Sequence, residues 1–170
     1  LYLQIKPGTD VVLALALAAE LERRNAFDKA FIDTWVQDFD RFMHNARQYS
    51  IADALRICEI DAEQFDRLAT HYATAKNLAL SIGNGIERGH SGGSALRAIM
   101  SLNALTGQLG RLGAGIFAKP GFAFPLTEEK LQRPGLAPAE TRTLNIVDIG
   151  RHLLDQQLDP PIKAVFIYNH

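Results

Sequence analysis

Asn77-Leu78-Ala79-Leu80-Ser81-Ile82-Gly83 is the stretch that decides the fold. It is a short, mostly apolar run that enters a glycine turn, the pattern of a buried parallel strand. The turn itself runs Gly83-Asn84-Gly85-Ile86-Glu87-Arg88-Gly89-His90-Ser91-Gly92-Gly93, and a helical pattern from Ser94 to Leu105 follows it. In open α/β sheets ligands gather beyond the carboxyl ends of the strands, where helix N-termini present free N–H groups. The strand therefore predicts both an architecture and a place to look for chemistry.

Toward the start of the chain, Leu1-Tyr2-Leu3-Gln4-Ile5 is strand-like and Lys6-Pro7-Gly8-Thr9-Asp10 is a turn. A helix from Val11 through Leu13, Ala16, Leu17 and Leu21 ends near Arg23-Arg24-Asn25, with Thr9 or Asp10 as its cap. From Asp28 a second amphipathic pattern repeats Phe31, Ile32, Trp35, Phe39, Phe42 and Met43 at helical spacing. Ser50 opens a short helix, and Asp61-Ala62-Glu63-Gln64 resembles a capping box ahead of another. Toward the other end, residues 108–142 are rich in glycine and proline and predict a long loop. A helix over Asn145 to Gln156 and a closing strand from Val165 complete the series. The order predicts an α/β unit with parallel strands, many helices and right-handed crossovers, with residues 1–170 forming a single partial domain. Leu1 is not a start methionine, and strands at both ends need neighbours, so the chain reads as a segment of something longer.

Lys and Arg number 18 against 19 Asp and Glu among 170 residues, which removes the electrostatic footprint of a nucleic-acid binder and any basic face for an anionic membrane. The longest apolar stretch, Val11 to Ala19, is about half of the roughly 20 residues a membrane span needs. Cys58 is the single cysteine, so neither a disulfide, a zinc knuckle nor an iron–sulfur site can be built from this stretch, and a buried structural thiol is expected. His44, His71 and His152 lie in helical patterns without a carboxylate or cysteine at ligand spacing. Trp35 and Phe39 are expected in the core, and the G-x-S-x-G elbow of a serine hydrolase is absent.

Two turns carry candidate chemistry. In Pro7-Gly8-Thr9-Asp10, Gly8 lets a ligand approach the backbone, Thr9 offers a hydroxyl, and Asp10 can accept two hydrogen bonds from the N1–H and N2–H₂ edge of guanine. The alternative is that this tetrapeptide is only a turn and a helix cap. In the second, Gly83, Gly85 and Gly89 give G-x-G-x-x-x-G, one residue longer than the dinucleotide fingerprint. No second strand delivers an acidic residue about 20 positions on, which disfavours an ordinary NAD site. Glycines flanking Arg88 and His90 can still cradle a phosphate through backbone N–H groups and a guanidinium; a solvated surface loop is the competing reading. A nucleotide-binding or scaffold module without catalysis thus stays open.

Ile5-Lys6-Pro7-Gly8-Thr9-Asp10 running into an alanine-leucine helix, then Tyr72-Ala73-Thr74-Ala75-Lys76, the glycine turn, and Leu105-Thr106-Gly107-Gln108-Leu109-Gly110-Arg111-Leu112-Gly113-Ala114-Gly115 together resemble the molybdopterin oxidoreductases, the family of dimethyl sulfoxide reductases, formate dehydrogenases and nitrate reductases. The resemblance implies the cofactor-binding part of a three-layer fold in an internal piece of a catalytic subunit. It also implies a molybdenum bis(molybdopterin guanine dinucleotide) cofactor, with Gly8, Thr9 and Asp10 at one guanine and Gly83, Asn84, Gly85, Arg88 and His90 at the other half. Arg88 stands where the family has Gln, and Gly89 where it has His, with His90 displaced by one. Asn169 matches an asparagine-rich strand end that approaches the cofactor in relatives. Ile116-Phe117-Ala118-Lys119-Pro120-Gly121 departs from the family's usual continuation, which carries an arginine. The resemblance further implies that the molybdenum ligand and an iron–sulfur cluster belong to regions before Leu1, with the remaining domains of the parent subunit and an electron-transfer subunit as partners.

Overall fold

The computed structural model describes residues 1–118, 127–138 and 141–167. Asn169 and Lys119 lie outside the described residues. The chain divides into two compact units, Leu1–Gly121 and Phe122–His170.

The first unit is organised around α1 (Asp10–Arg23), an alanine-leucine helix that buries Ala14, Ala16, Leu17, Ala18 and Leu21. A helix apolar on most of its circumference belongs in the interior, and α1 is covered by α3 (Phe39–Ala46), α4 (Ile51–Cys58), α5 (Ala62–Thr74) and α6 (Gly92–Leu105). Small side chains at Ala14, Ala18, Ala95 and Ala98 suit the close approach of α1 to α6, the most extensive helix contact in the unit. These two helices run in the same direction. Val11 shares a cleft wall with Gly93 and Ser94 at one end, while Asp28 N–H donates to Leu105 O at 2.9 Å at the other.

Several caps fall where the sequence places them. Ser50 Oγ accepts from Asp53 N at 3.0 Å and Asp61 Oδ1 accepts from Gln64 N at 2.7 Å, each satisfying an N–H that the first turn leaves free. The pattern beginning at Asp28 does not form one helix. It breaks into α2 (Lys29–Trp35) and α3, with Val36 extended and Asp38 left-handed at φ 56°. Trp35 consequently ends α2 on the outside and is 74% exposed, not in the core, whereas Phe39 packs edge-on against Phe27 with ring centres 5.9 Å apart.

A parallel pairing is present, but not among the three strands that the sequence predicts. β1 (Ala79–Ile82) pairs with β2 (Gly115–Ala118) in register Ala79↔Gly115 to Ile82↔Ala118. β2 lies inside the stretch expected to be a long loop, as do α7 (Glu128–Gln132) and a 3₁₀ turn over Pro134–Leu136. The cause is local: left-handed glycines at 107, 110, 113 and 115 fold the segment back beside β1, so glycine richness here marks tight turns between ordered elements. β1 is less enclosed than a central strand, with Ala79 and Ser81 exposed and Ile82 buried. Leu1–Ile5 forms no ladder; Leu3 and Ile5 pack against the core, and Lys6 N donates to Cys58 O at 2.9 Å. Residues 165–167 also pair with no strand among the described residues. Both apolar runs have strand composition, but the ladder needs a neighbour to bond to.

In the second unit the expected helix over 145–156 is shorter: a 3₁₀ turn over Ile146–Asp148, capped by Asn145 Oδ1 accepting from Val147 N at 3.1 Å, leads into α8 (Ile149–Leu154).

Candidate functional site

The first candidate turn is built by backbone chemistry. Thr9 N donates to Lys6 O at 3.2 Å, and the Thr9 hydroxyl donates to the same carbonyl at 2.6 Å. Gly8 sits at φ +82°, a conformation that glycine adopts at little cost and that residues with a side chain rarely take. Thr9 is buried and stands at the N-cap of α1, yet its hydroxyl turns back to the loop and makes no cap bond. Asp10 is half-buried, and its carboxylate has no hydrogen-bond or ion-pair partner among the described residues. It edges a cleft of about 130 Å³ whose other walls include Ile5, Leu13, Leu68, Tyr72 and Ile99. Asp10 is the one charged residue among the slot's lining side chains.

The second candidate turn leaves β1 at Gly83 and winds into α6. Gly83, Asn84, Gly85, Arg88, Gly89 and His90 are all exposed. Gly89 N donates to Ile86 O at 3.3 Å and Gly92 N to Gly89 O at 3.0 Å. A Cβ at Gly92 would lie 2.7 Å from Glu87 Cα, Glu87 O and Ile86 O, so the turn closes tightly on the start of α6. Gly83 and Gly85 instead have nothing within 4 Å of where a Cβ would stand. Arg88 and His90 are engaged in no hydrogen bond or ion pair among the described residues.

Because α1 and α6 run in the same direction, the two turns that start them share one end of the helix pair. On one side of that seam lies the Asp10 slot. On the other is a wider cleft of about 660 Å³ lined by Val11, Leu15, Phe42, Gly93, Ser94 and Arg97. The positive ends of two 14-residue helices thus face the same rim.

Sequence reasoning left two residues without a role that the structure gives them. Asn103, fully buried in α6, donates from Nδ2 to Leu78 O at 3.3 Å and to Gly115 O at 3.0 Å. Gln108 accepts from Leu78 N at 3.0 Å and donates to Ala75 O at 3.4 Å. They bind the entry of β1 to the start of β2, supplying partners that a two-stranded sheet otherwise lacks. Asn103 Oδ1 is buried with no protein partner among the described residues. The signal in the sequence was a polar amide inside an apolar helical stripe. Gly107 next to them is left-handed at φ +64° and sits against the Asp28 carboxylate, which caps α2 through Phe31 N at 3.0 Å and meets Arg111 at 3.2 Å. Among the described residues there is no cluster of His, Cys, Asp or Glu able to hold a metal.

A helix-rich α/β unit with a small parallel sheet and two open turns at one rim defines the class; comparison with known proteins defines the family. No protein-family model matches the chain. It is 33% identical over 168 residues to the probable oxidoreductase YoaE of Bacillus subtilis, an alignment covering 98% of this chain and 24% of that protein. It is 32% identical over 121 residues to a nitrate reductase of Synechocystis, covering 71% of this chain and 17% of the other. It is 30% identical over 116 residues to the alpha subunit of a formate dehydrogenase from Methanocaldococcus jannaschii, covering 68% of this chain and 17% of the other. In fold it matches acetylene hydratase from Pelobacter acetylenicus with a TM-score of 0.61 at 22% identity, over 64% of this chain and 15% of that one. The chain belongs to the molybdopterin oxidoreductase family. It spans about a quarter or less of the length of the relatives it matches.

Proposed function

We propose that this chain forms the part of a molybdopterin-guanine-dinucleotide oxidoreductase that holds the nucleotide ends of the cofactor. The observation that carries the reading is the unpartnered Asp10 carboxylate at the rim of an apolar slot, at the same end of the helix pair as the 83–93 turn. A guanine edge offers two N–H donors in a row, and an ionised carboxylate accepts both. Gly8 gives the base room beside the backbone. Gly83 and Gly85 leave their backbone open to a phosphate-bearing group, Asn84 offers an amide, and Arg88 or His90 offers a cation. Asn169 belongs to the same proposal. The residues present therefore suit a guanine dinucleotide better than an adenine one, whose edge pairs a donor with an acceptor.

When bound, the cofactor supplies the molybdenum centre at which an oxygen atom or an electron pair is transferred. This chain's share is to bind and orient; the metal ligand, an iron–sulfur cluster, the remaining domains of the subunit and an electron-transfer partner belong to the parent enzyme. Within it, residues 1–170 form one partial domain of a three-layer fold.

Thermal denaturation with millimolar GDP or ADP tests the reading, since a ligand that binds only the folded state raises the melting temperature. GDP is expected to protect more than ADP, and Asp10→Asn to abolish the difference, because an amide presents only one acceptor to the base. Equal protection by both nucleotides would favour a phosphate cradle without base recognition. No protection by either would contradict the proposal.

A further inference from the structure

The Pro7-Gly8-Thr9-Asp10 turn is held by α4 across 49 to 53 residues of sequence. Lys6 N donates to Cys58 O at 2.9 Å, the Cys58 thiol donates to Thr9 O at 3.7 Å, and Lys6 Nζ meets Glu59 Oε1 at 2.8 Å. Cys58 is 1% exposed and stands at the last position of α4, where Glu59 turns left-handed at φ 57° and directs the carbonyl end of the helix at Lys6. Thr9 O is a busy acceptor, since Val12 N and Leu13 N also donate to it at 3.0 and 3.1 Å. The sulfur is thus seated against the first turn of α1.

We propose that Cys58 is a positioning residue for base recognition, fixing the turn that aims Asp10 by bonding it at both Lys6 and Thr9. The role rests on the guanine reading of Asp10. A free buried cysteine usually packs as a small apolar group, and packing alone would place no bond on the carbonyl that begins the recognition helix. Removing the sulfur leaves the Lys6–Cys58 backbone bond in place but frees the start of α1 to rotate about it. The consequence is local: Asp10 moves relative to the slot formed by Ile5, Leu68 and Tyr72, while the core on the α3 side, around Met43, is untouched.

The test uses the full chain as wild type, Cys58→Ala, Cys58→Ser and Met43→Ala, the last a core truncation away from the turn. Hydrogen exchange read by mass spectrometry without ligand should show faster exchange over residues 6–13 in Cys58→Ala, with at most partial recovery in Cys58→Ser, whose shorter Cβ–Oγ bond brings the hydroxyl no closer to Thr9 O than the thiol. Met43→Ala should not show that local rise. In parallel, the excess thermal protection by GDP over ADP should fall at least threefold in Cys58→Ala and persist in Met43→Ala. Unchanged exchange over 6–13 in Cys58→Ala overturns the proposal, as does a GDP preference that Cys58→Ala retains in full. If wild type shows no GDP preference while the exchange pattern appears as expected, the guanine reading fails and the clamp itself stands.

Discussion

Replacing Gly107 by alanine probes the joint that connects α6, α2 and β2. At φ +64° an L side chain costs about 1–2 kcal/mol. The new Cβ would also stand 2.8 Å from both Cβ and Cγ of Asp28, with the carboxylate oxygen nearer still, so the Asp28 side chain must leave. Its departure releases the Phe31 N–H that it caps and the Arg111 ion pair, and the cap alone is worth about 1 kcal/mol. The sum is roughly 2–4 kcal/mol, which for a chain of this size lowers the melting temperature by roughly 5–15 °C. Differential scanning calorimetry of Gly107→Ala, with Gly150→Ala as control because nothing lies within 4 Å of its Cβ position, measures it. A double-mutant cycle sharpens the reasoning: in an Asp28→Gly background, which removes the Cβ as well as the carboxylate that the new methyl would meet, the same glycine substitution should cost only the backbone share, about 1–2 kcal/mol. A drop under 1 °C, or an equal cost in both backgrounds, would refute the coupling.

Two other perturbations bear on the frame. Glu20, buried at 3% exposure, accepts from Arg23 and Arg24, and Arg24 continues to Asp66 and Thr70 on α5; hydrogen bonding by Arg23 foremost holds its carboxyl below the ordinary glutamate range. A depressed folded-state value gives stability that is present above the unfolded value of about 4.3 and is lost as pH falls through the folded one, so Glu20→Gln should be destabilised by roughly 1–3 kcal/mol at pH 7, with a gap to wild type in melting temperature that narrows on acidification. Gly92→Ala forces a Cβ against Glu87 and Ile86 backbone and should cost roughly 1–3 kcal/mol in chemical denaturation, whereas Gly85→Ala, with open space around it, should change stability by less than about 0.5 kcal/mol.

What could be read from the chain follows the range of the interactions involved. Caps at Ser50 and Asp61 and the helical stretch after Asp10 depend on neighbours within a few residues, which are visible in sequence order, whereas the Ala79–Ile82 run showed its composition but not its partner. Trp35 was misjudged because helical spacing runs on through Val36-Gln37-Asp38 while the backbone turns there. The strand at Gly115–Ala118 was hidden by the glycines that surround it: four left-handed positions look like a loop until their φ angles bring the segment beside β1. The Asp10 turn was legible as chemistry, but its support from Cys58 and Glu59 and the sheet's support from Asn103 and Gln108 join residues 12 to 53 positions apart. No local pattern carries such pairings.

The central claim is that the turns starting α1 and α6 share one rim and hold different parts of a guanine-bearing cofactor, the Asp10 turn at a guanine and the 83–93 turn at the other half. Titrating the ¹⁵N-labelled chain with GDP and following amide resonances in two-dimensional NMR tests it most directly, because millimolar affinity suffices. Shifts are predicted at Gly8 to Asp10 with GDP and not with ADP, and at Gly83 to His90 with either nucleotide. An Asp10 turn that responds identically to GDP and ADP, or that responds to neither, would contradict the account.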